Sequence, residues 1–192
     1  MPPKAKITAE MIAQAGTELI RAEGLQALNV RNTAKQLGCS TQPVMYHYPT
    51  AAALKEAVYA QADALHTAYL MQPEAENPLL SIGLRYIRFA SEERNLFRFL
   101  FQSGMMRDTP LRLVTVSPDT APFIAAVAAE TGLTEQQAQD VFTLLFMTVH
   151  GCASLLANQA MEYDAAYCEK LLARSLSGAA AAVKGEADEK TL

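Results

Sequence analysis

Apolar residues recur along most of the chain three and four positions apart, which is the spacing of an amphipathic α-helix. After Thr8, a residue that caps helices well, Ile12, Ala15 and Leu19 fall on one face. Gly24 then ends the pattern. No segment shows the sustained alternation of apolar and polar residues that is typical of a strand. We therefore predict an all-α fold of about nine helices.

The next two helices are predicted to be short and to be joined by a tight turn. Asn29 can cap the second helix, and Gly38 ends it. Ser40 can cap the third helix, which stops before Pro49. Three short helices with a glycine turn between the last two are typical of a helix-turn-helix.

Longer helices are predicted beyond residue 50, interrupted at 72–78 and at 107–122. Thr134 followed by Gln137 forms a capping-box pattern at the start of one of them. The last helix is predicted to begin after Asp164. We thus expect a helix-turn-helix domain at 1–50, a larger helical domain at 51–185 and a frayed tail at 186–192.

In a helix-turn-helix the third helix enters the major groove of DNA with its amino-terminal end first. Gln42 can bind adenine through two hydrogen bonds, and the methyl group of Thr41 can pack on thymine. Tyr46 and His47, one turn later, can bind phosphates, as can the free N–H groups near Arg31 and Ser40. The predicted DNA-contacting residues are Arg31, Ser40, Thr41, Gln42, Pro43, Tyr46 and His47.

Charge and cysteine content add modest constraints. The net charge is −4, while residues 1–50 hold five basic and three acidic residues, which is a weak indication of an anionic partner that chance explains equally well. The three cysteines form no C-x-x-C pair, which favours reduced thiols. Since no leader and no uninterrupted membrane-length apolar run is present, we expect a cytoplasmic protein without a membrane partner.

The segment Thr8–Val58 resembles the DNA-binding head of TetR-family transcription regulators. The shared features are the first helix ending at Gly24, the turn Gly38-Cys39-Ser40, the Tyr-His-Tyr end of the third helix and Leu54. The resemblance implies a homodimer that binds a palindromic operator in double-stranded DNA. It also implies a ligand-binding and dimerisation domain at 51–185, and a repressor released by a small, partly apolar ligand.

Two positions depart from the pattern of that family. Met45 stands where the family usually has Tyr, and Ala51 stands where it usually has Lys. The missing lysine removes a common phosphate anchor, so operator binding would be weaker or would use Lys4, Lys6 or Lys55. The alternative function is a helical interaction protein with a weakened DNA-binding head.

Aromatic and methionine residues of the larger domain are the candidates for a ligand pocket, although core packing explains most such residues. His150 lies one turn after Phe146 in a segment that resembles a His-Gly helix of this family. Arg85, Arg88, Arg94 and Arg98 recur at roughly helical spacing beside the aromatic and methionine residues of 89–106. We interpret all four as a solvated face paired with Glu92 and Glu93, with an anionic ligand as the alternative. The predicted pocket residues are Phe89, Phe97, Phe101, Met105, Phe146 and His150.

Small and apolar residues on the last two helices predict a four-helix bundle between two subunits, the alternative being an intramolecular core. The predicted interface residues are Ala153, Leu156, Leu172, Leu176 and Ala179. No nucleophile–base pair, phosphate loop or metal-ligand spacing is present. We therefore expect no enzyme activity, cofactor or metal.

Overall fold

The structure, a computed structural model, describes residues 7–105, 110, 117 and 120–189, with side chains as far as residue 185 in the last helix. In this part of the chain every regular element is helical, which confirms the all-α prediction. A 3₁₀ turn at Leu25–Ala27 follows the first helix. The described residues form nine α-helices: α1 Ala9–Glu23, α2 Val30–Gln36, α3 Thr41–His47, α4 Ala51–Leu70, α5 Pro78–Glu92, α6 Arg94–Gln102, α7 Ala121–Thr131, α8 Glu135–Ala157 and α9 Ala165–Glu189.

Most of the predicted helix caps are present. The Thr8 side chain accepts a hydrogen bond from the amide of Met11, and Thr134 and Gln137 form the reciprocal capping box of α8. Ser40 holds the cap position of α3 without a side-chain bond to that helix. Helix α9 continues past Gly185 to Glu189, and the remainder of the predicted frayed tail lies outside the described residues.

The helices group into two compact units. The first unit comprises Met1–Ala68 and Glu93–Met106, and the second unit comprises Tyr69–Glu92 and Arg107–Leu192. Helix α6 and all but the last two residues of α4 therefore belong to the same unit as α1, α2 and α3. The predicted limit of a DNA-binding domain at residue 50 concerns function and stays a prediction.

The first unit is built around α1, which contacts α2, α3 and α6. A Cβ atom at Gly16 would lie 2.4 Å from Val58 Cγ2, so this glycine lets α1 approach α4 closely. Asn95 donates a hydrogen bond of 3.0 Å to the carbonyl of Arg21 at the end of α1, and Arg21 pairs with Glu93 at 2.9 Å. These contacts fix the frame that carries α2 and α3.

The second unit is built around α8, which contacts α5, α7 and α9. By length and composition alone α8 is also apolar enough to span a membrane, a property that it shares with the central helices of soluble proteins. Its fully buried residues include Ala138, Val141 and Ala153. Its position between three helices explains why it is so apolar.

Candidate functional site

The turn between α2 and α3 has a defined hydrogen-bond pattern that fixes the angle between the two helices. Gly38 adopts a φ of +63°, which favours glycine. The amide of Cys39 donates to Ala34 O at 3.0 Å, and the amide of Gly38 donates to Lys35 O at 3.1 Å. This pair of bonds is the Schellman motif. Val44, fully buried, anchors the inner face of α3.

The outer face of α3, the second helix of this helix-turn-helix, carries exposed side chains at successive helical positions. Thr41 and Gln42 are exposed at its start, and Tyr46, one turn later, is 80% exposed. Met45, which was not among the predicted DNA-contacting residues, is 53% exposed on the same face. Its spacing of four from Thr41 is the signal that could have included it. Thr41, Gln42, Met45 and Tyr46 thus form one exposed face of α3.

The remaining predicted DNA-contacting residues lie around this face. Arg31 and Ser40 are exposed, and Pro43 is half-buried. His47 Nε2 lies 3.2 Å from Ile7 O, and the Tyr48 hydroxyl donates to Ala9 O at 3.2 Å. His47 therefore holds Ile7 against the end of α3, and its contact with phosphate stays a prediction.

The first turn of α4 offers no cation at the position where the family resemblance expects one. Ala51 is the first residue of α4 and is exposed. Arg31 and Lys35 on α2 are exposed, whereas Lys4 and Lys6 lie outside the described residues. Lys55, the third alternative cation, lies in the second turn of α4 and is half-buried.

The second unit contains an apolar cavity of about 150 Å³. Its walls come from the last residue of α4, Leu70, and from α5, the start of α7, α8 and α9. Four aromatic rings line it, and the lining includes no charged side chain of the described residues. The aromatic residues are Tyr86, Phe123, Phe142 and Phe146.

The cavity includes one of the six predicted pocket residues, Phe146. His150 lies behind the wall, where its Nδ1 is 2.9 Å from the hydroxyl of Tyr86, and burial lowers the pKa of its imidazole. Phe89 is buried against the Tyr69 ring, with ring centroids 5.3 Å apart. The other three predicted pocket residues, Phe97, Phe101 and Met105, belong to the first unit.

Sequence patterning missed the aliphatic and glycine part of the wall. Leu70, Gly83 and Leu172 line the cavity from three different helices. Gly83 is the only one with a local signal, because a glycine in the middle of α5 lowers helix propensity and indicates a close approach.

Arg85 is not on the solvated face that its spacing predicted. It is 9% exposed, and its guanidinium lies over the ring of Tyr69 with Cζ 3.8 Å from the centroid. Its Nε donates to the carbonyl of Tyr69 at 3.1 Å, at the end of α4. The acidic partner of Arg85 and Arg88 is Glu74 rather than Glu92 or Glu93. Its carboxylate oxygens lie 3.8 Å from Arg85 Nη1 and 2.5 Å from Arg88 Nη2. This carboxylate already supplies the anion that an anionic ligand would have supplied.

Comparison with known proteins identifies the family. The family described as "Tetracyclin repressor-like, C-terminal domain" matches the chain over residues 79–178, just over half of its length. The chain belongs to the TetR family. A solved structure of a TetR-family member from Streptomyces coelicolor A3 superposes on the chain with a TM-score of 0.55. It is 19% identical in sequence, with 86% of this chain and 96% of that chain covered, so it shows the fold alone. No curated protein matches the chain significantly in sequence.

TetR-family membership identifies the general activity and partners. Members are DNA-binding transcriptional regulators that form dimers, are soluble and are generally not enzymes. Within the described residues no group of three or more histidine, cysteine, aspartate or glutamate side chains is placed to hold a metal ion. The α3 surface and the apolar cavity are the two features of the described residues on which the proposals below rest.

The residues predicted for the TetR dimer interface lie mostly inside the second unit. Four of them are buried there, and Ala179 is half-buried; the buried ones are Ala153, Leu156, Leu172 and Leu176. The opposite side of α8 exposes Leu144, Met147 and Leu155 at helical spacing. On α9 the exposed residues include Gly178 and Ala181. The same two helices thus present apolar and small residues outward, but at other positions.

Proposed function

We propose that the chain is a homodimeric, cytoplasmic transcriptional repressor that binds a palindromic operator and is released by a small, partly apolar ligand. The observation that supports this most directly is the outer face of α3. Val44 anchors its inner face, while Thr41, Gln42 and Tyr46 remain exposed. A helix held in this way can enter the major groove without unfolding any part of the head.

Each exposed side chain has a specific role in this proposal. The amide of Gln42 binds one adenine through two hydrogen bonds, and the methyl group of Thr41 packs on a thymine. The hydroxyl of Tyr46 and the guanidinium of Arg31 bind phosphates, which fixes the register of the helix in the groove. Met45 adds apolar contact where a tyrosine is usual in the family.

Dimerisation places two copies of α3 on one operator. Half-sites one helical turn of DNA apart require two heads about 34 Å apart. We assign the interface to the exposed side of α8 and α9, with Leu144 and Leu155 as its apolar centre. Leu155→Glu should therefore produce monomers in sedimentation velocity, whereas Glu135→Gln, exposed at the start of α8, should leave the dimer intact. A dimeric Leu155→Glu protein would exclude this interface.

Release from DNA follows from a cavity that contacts α4. Leu70 lines the cavity, and α4 is one continuous helix from there back to Ala51, four residues after α3. A ligand shifts the protein only as far as its affinity for the two states differs. We infer that the DNA-bound state has the smaller cavity, so that ligand favours the state with lower affinity for the operator.

The test is selection of genomic DNA fragments by the purified protein at low and at moderate salt. Gln42→Ala should lose the preference for the selected fragment, and Tyr46→Phe should weaken binding to all fragments by a similar factor. Gln36→Ala, an exposed glutamine at the end of α2, serves as the matched control and should change little.

Three outcomes separate the alternatives. If the wild type and Gln36→Ala select a palindromic fragment and the α3 variants do not, the proposed operator-binding function is supported. A fragment bound equally by Gln42→Ala and the wild type contradicts the assignment of α3. No selection by the wild type at low salt favours the interaction protein with a weakened head.

A further inference from the structure

The apolar cavity of the second unit has a size, a wall chemistry and a shape that restrict what it can hold. Its volume of about 150 Å³ is close to that of protein cavities known to bind benzene. The rings of Phe123 and Phe142 are nearly parallel, 8° apart with centroids separated by 6.1 Å. Tyr86 and Phe146 add two more rings to the same wall.

We propose that this cavity binds a neutral, monocyclic aromatic compound of about six to nine heavy atoms, carrying at most one small polar substituent. The proposal rests on the ligand-responsive function proposed above and specifies the class of its ligand. Aromatic ligands are favoured because offset and edge-on contacts with the four wall rings add to the burial of apolar area. Naphthalene, with ten heavy atoms, lies just above this size range.

Charged ligands are excluded by the composition of the wall. The described lining contains no cationic or anionic side chain, so a carboxylate would lose its hydration without gaining a partner. His150 does not change this, because its burial favours the neutral imidazole and its Nδ1 lies 2.9 Å from the Tyr86 hydroxyl. A benzoate should therefore be rejected where toluene is accepted.

Gly83 and Leu172 determine the size of the ligand that the cavity accepts between α5 and α9. A Cβ atom at Gly83 would lie 3.0 Å from Leu172 Cδ1 and 3.6 Å from Val149 Cγ2, and all three residues line the cavity. Gly83→Val should fill the space from the α5 side. Leu172→Ala should enlarge it from the α9 side, since Leu172 is 2% exposed.

The experiment measures binding of toluene, naphthalene and benzoate to the full chain by ligand-observed NMR and by the shift in melting temperature. The wild type should bind toluene and should show no measurable binding of benzoate. Gly83→Val should weaken toluene binding about tenfold or more, and Leu172→Ala should raise the ratio of naphthalene to toluene affinity about tenfold. Leu176→Ala is the matched control, because it removes a buried leucine from the next turn of α9 outside the cavity wall.

The gain of naphthalene binding is decisive, because a variant that fails to fold cannot show it. Equal ligand preferences in Leu172→Ala and Leu176→Ala would overturn the proposal, as would tighter binding of benzoate than of toluene. If the wild type binds none of these probes but still selects its operator, the ligand class is wrong and the DNA-binding function stands. If toluene binds but operator binding is unchanged, the cavity does bind an aromatic ligand, and the proposal that this ligand releases the protein from DNA is wrong.

Discussion

The two compact units differ in the direction in which their candidate functional side chains face. In the first unit, α3 turns Gln42 and Tyr46 outward from a well-packed frame. In the second unit, Phe142 and Phe146 line a space inside the helices. A surface that binds DNA depends on side chains from one short helix, whereas a cavity depends on side chains from several. Substitutions should therefore affect the two units in different ways.

The largest effect is expected at Phe97, which was predicted as a pocket residue but lies fully buried in the first unit, 4.9 Å from the ring of Phe101. Phe97→Ala should lower the free energy of unfolding by about 3–5 kcal/mol, because it leaves a cavity in a packed core. Chemical denaturation measures this. Phe146→Ala, at the half-buried wall of the cavity, should lose less stability and more affinity for toluene. If Phe97→Ala instead loses more toluene affinity and less stability than Phe146→Ala, Phe97 belongs to the ligand site.

Acid should destabilise the protein through His66 of the first unit, which packs on Phe101. Burial lowers the pKa of His66 from 6.5 to about 4. Between those two values the unfolded chain binds the proton and the folded chain does not. The stability present above pH 6.5 should therefore fall by about 3 kcal/mol as the pH reaches 4.

Denaturation curves of His66→Leu from pH 7 to pH 4 measure that contribution. In this variant the free energy of unfolding should fall much less between pH 7 and pH 4 than in the wild type. Any remaining fall would come from other groups, including His150 of the second unit, whose pKa burial also lowers. An unchanged slope in His66→Leu would show that His66 titrates normally in the folded protein.

A smaller effect is expected at Gly16, where α1 touches α4. Gly16→Ala should lower stability by about 1–3 kcal/mol, because its Cβ would lie 2.4 Å from the buried, β-branched Val58. Gly185→Ala in α9 is the matched control, since no atom lies within 4 Å of its Cβ position. That change should be neutral or slightly stabilising. Equal melting temperatures for the two variants would contradict the close contact.

The smallest effect concerns the missing cation of α4. Ala51→Lys should strengthen operator binding by a few-fold and steepen the slope of log affinity against log salt by about 0.9, the value for one added phosphate contact. Fluorescence anisotropy at several salt concentrations measures both. Ala129→Lys adds the same charge to an exposed position of the second unit and should leave the slope unchanged. If both variants respond alike, the first turn of α4 does not touch phosphate.

Most of the fold and of the α3 surface was predictable from the sequence, because both depend on local signals. Thr8, Gly38 and the Thr134–Gln137 pair act on residues within one or two turns, and the structure has each of them in its expected role. Phe146, which lines the cavity, was likewise predicted from its own helix, and its contact with a ligand stays a prediction. The glycine turn at Gly38 predicted a helix-turn-helix, and in that arrangement the outer face of α3 is exposed.

The cavity was not predictable in the same way. Leu70 and Leu172 are about a hundred positions apart, and nothing local distinguishes a leucine that lines a cavity from one that fills a core. Phe97 and Phe101 show the converse: both were predicted for the pocket, and neither lines this cavity. Arg85 also needed the structure, because its partner Glu74 lies in the loop before α5 rather than on its own helix.

The contacts of His47 with Ile7 and of Tyr48 with Ala9 have a practical consequence for anyone who purifies this protein. They place the first described residues at the end of the helix that is proposed to enter the major groove. A polyhistidine segment joined directly to Ile7 would therefore start beside the proposed DNA-contacting face and would compete there for phosphates. Binding assays need protein from which such a tag has been cleaved.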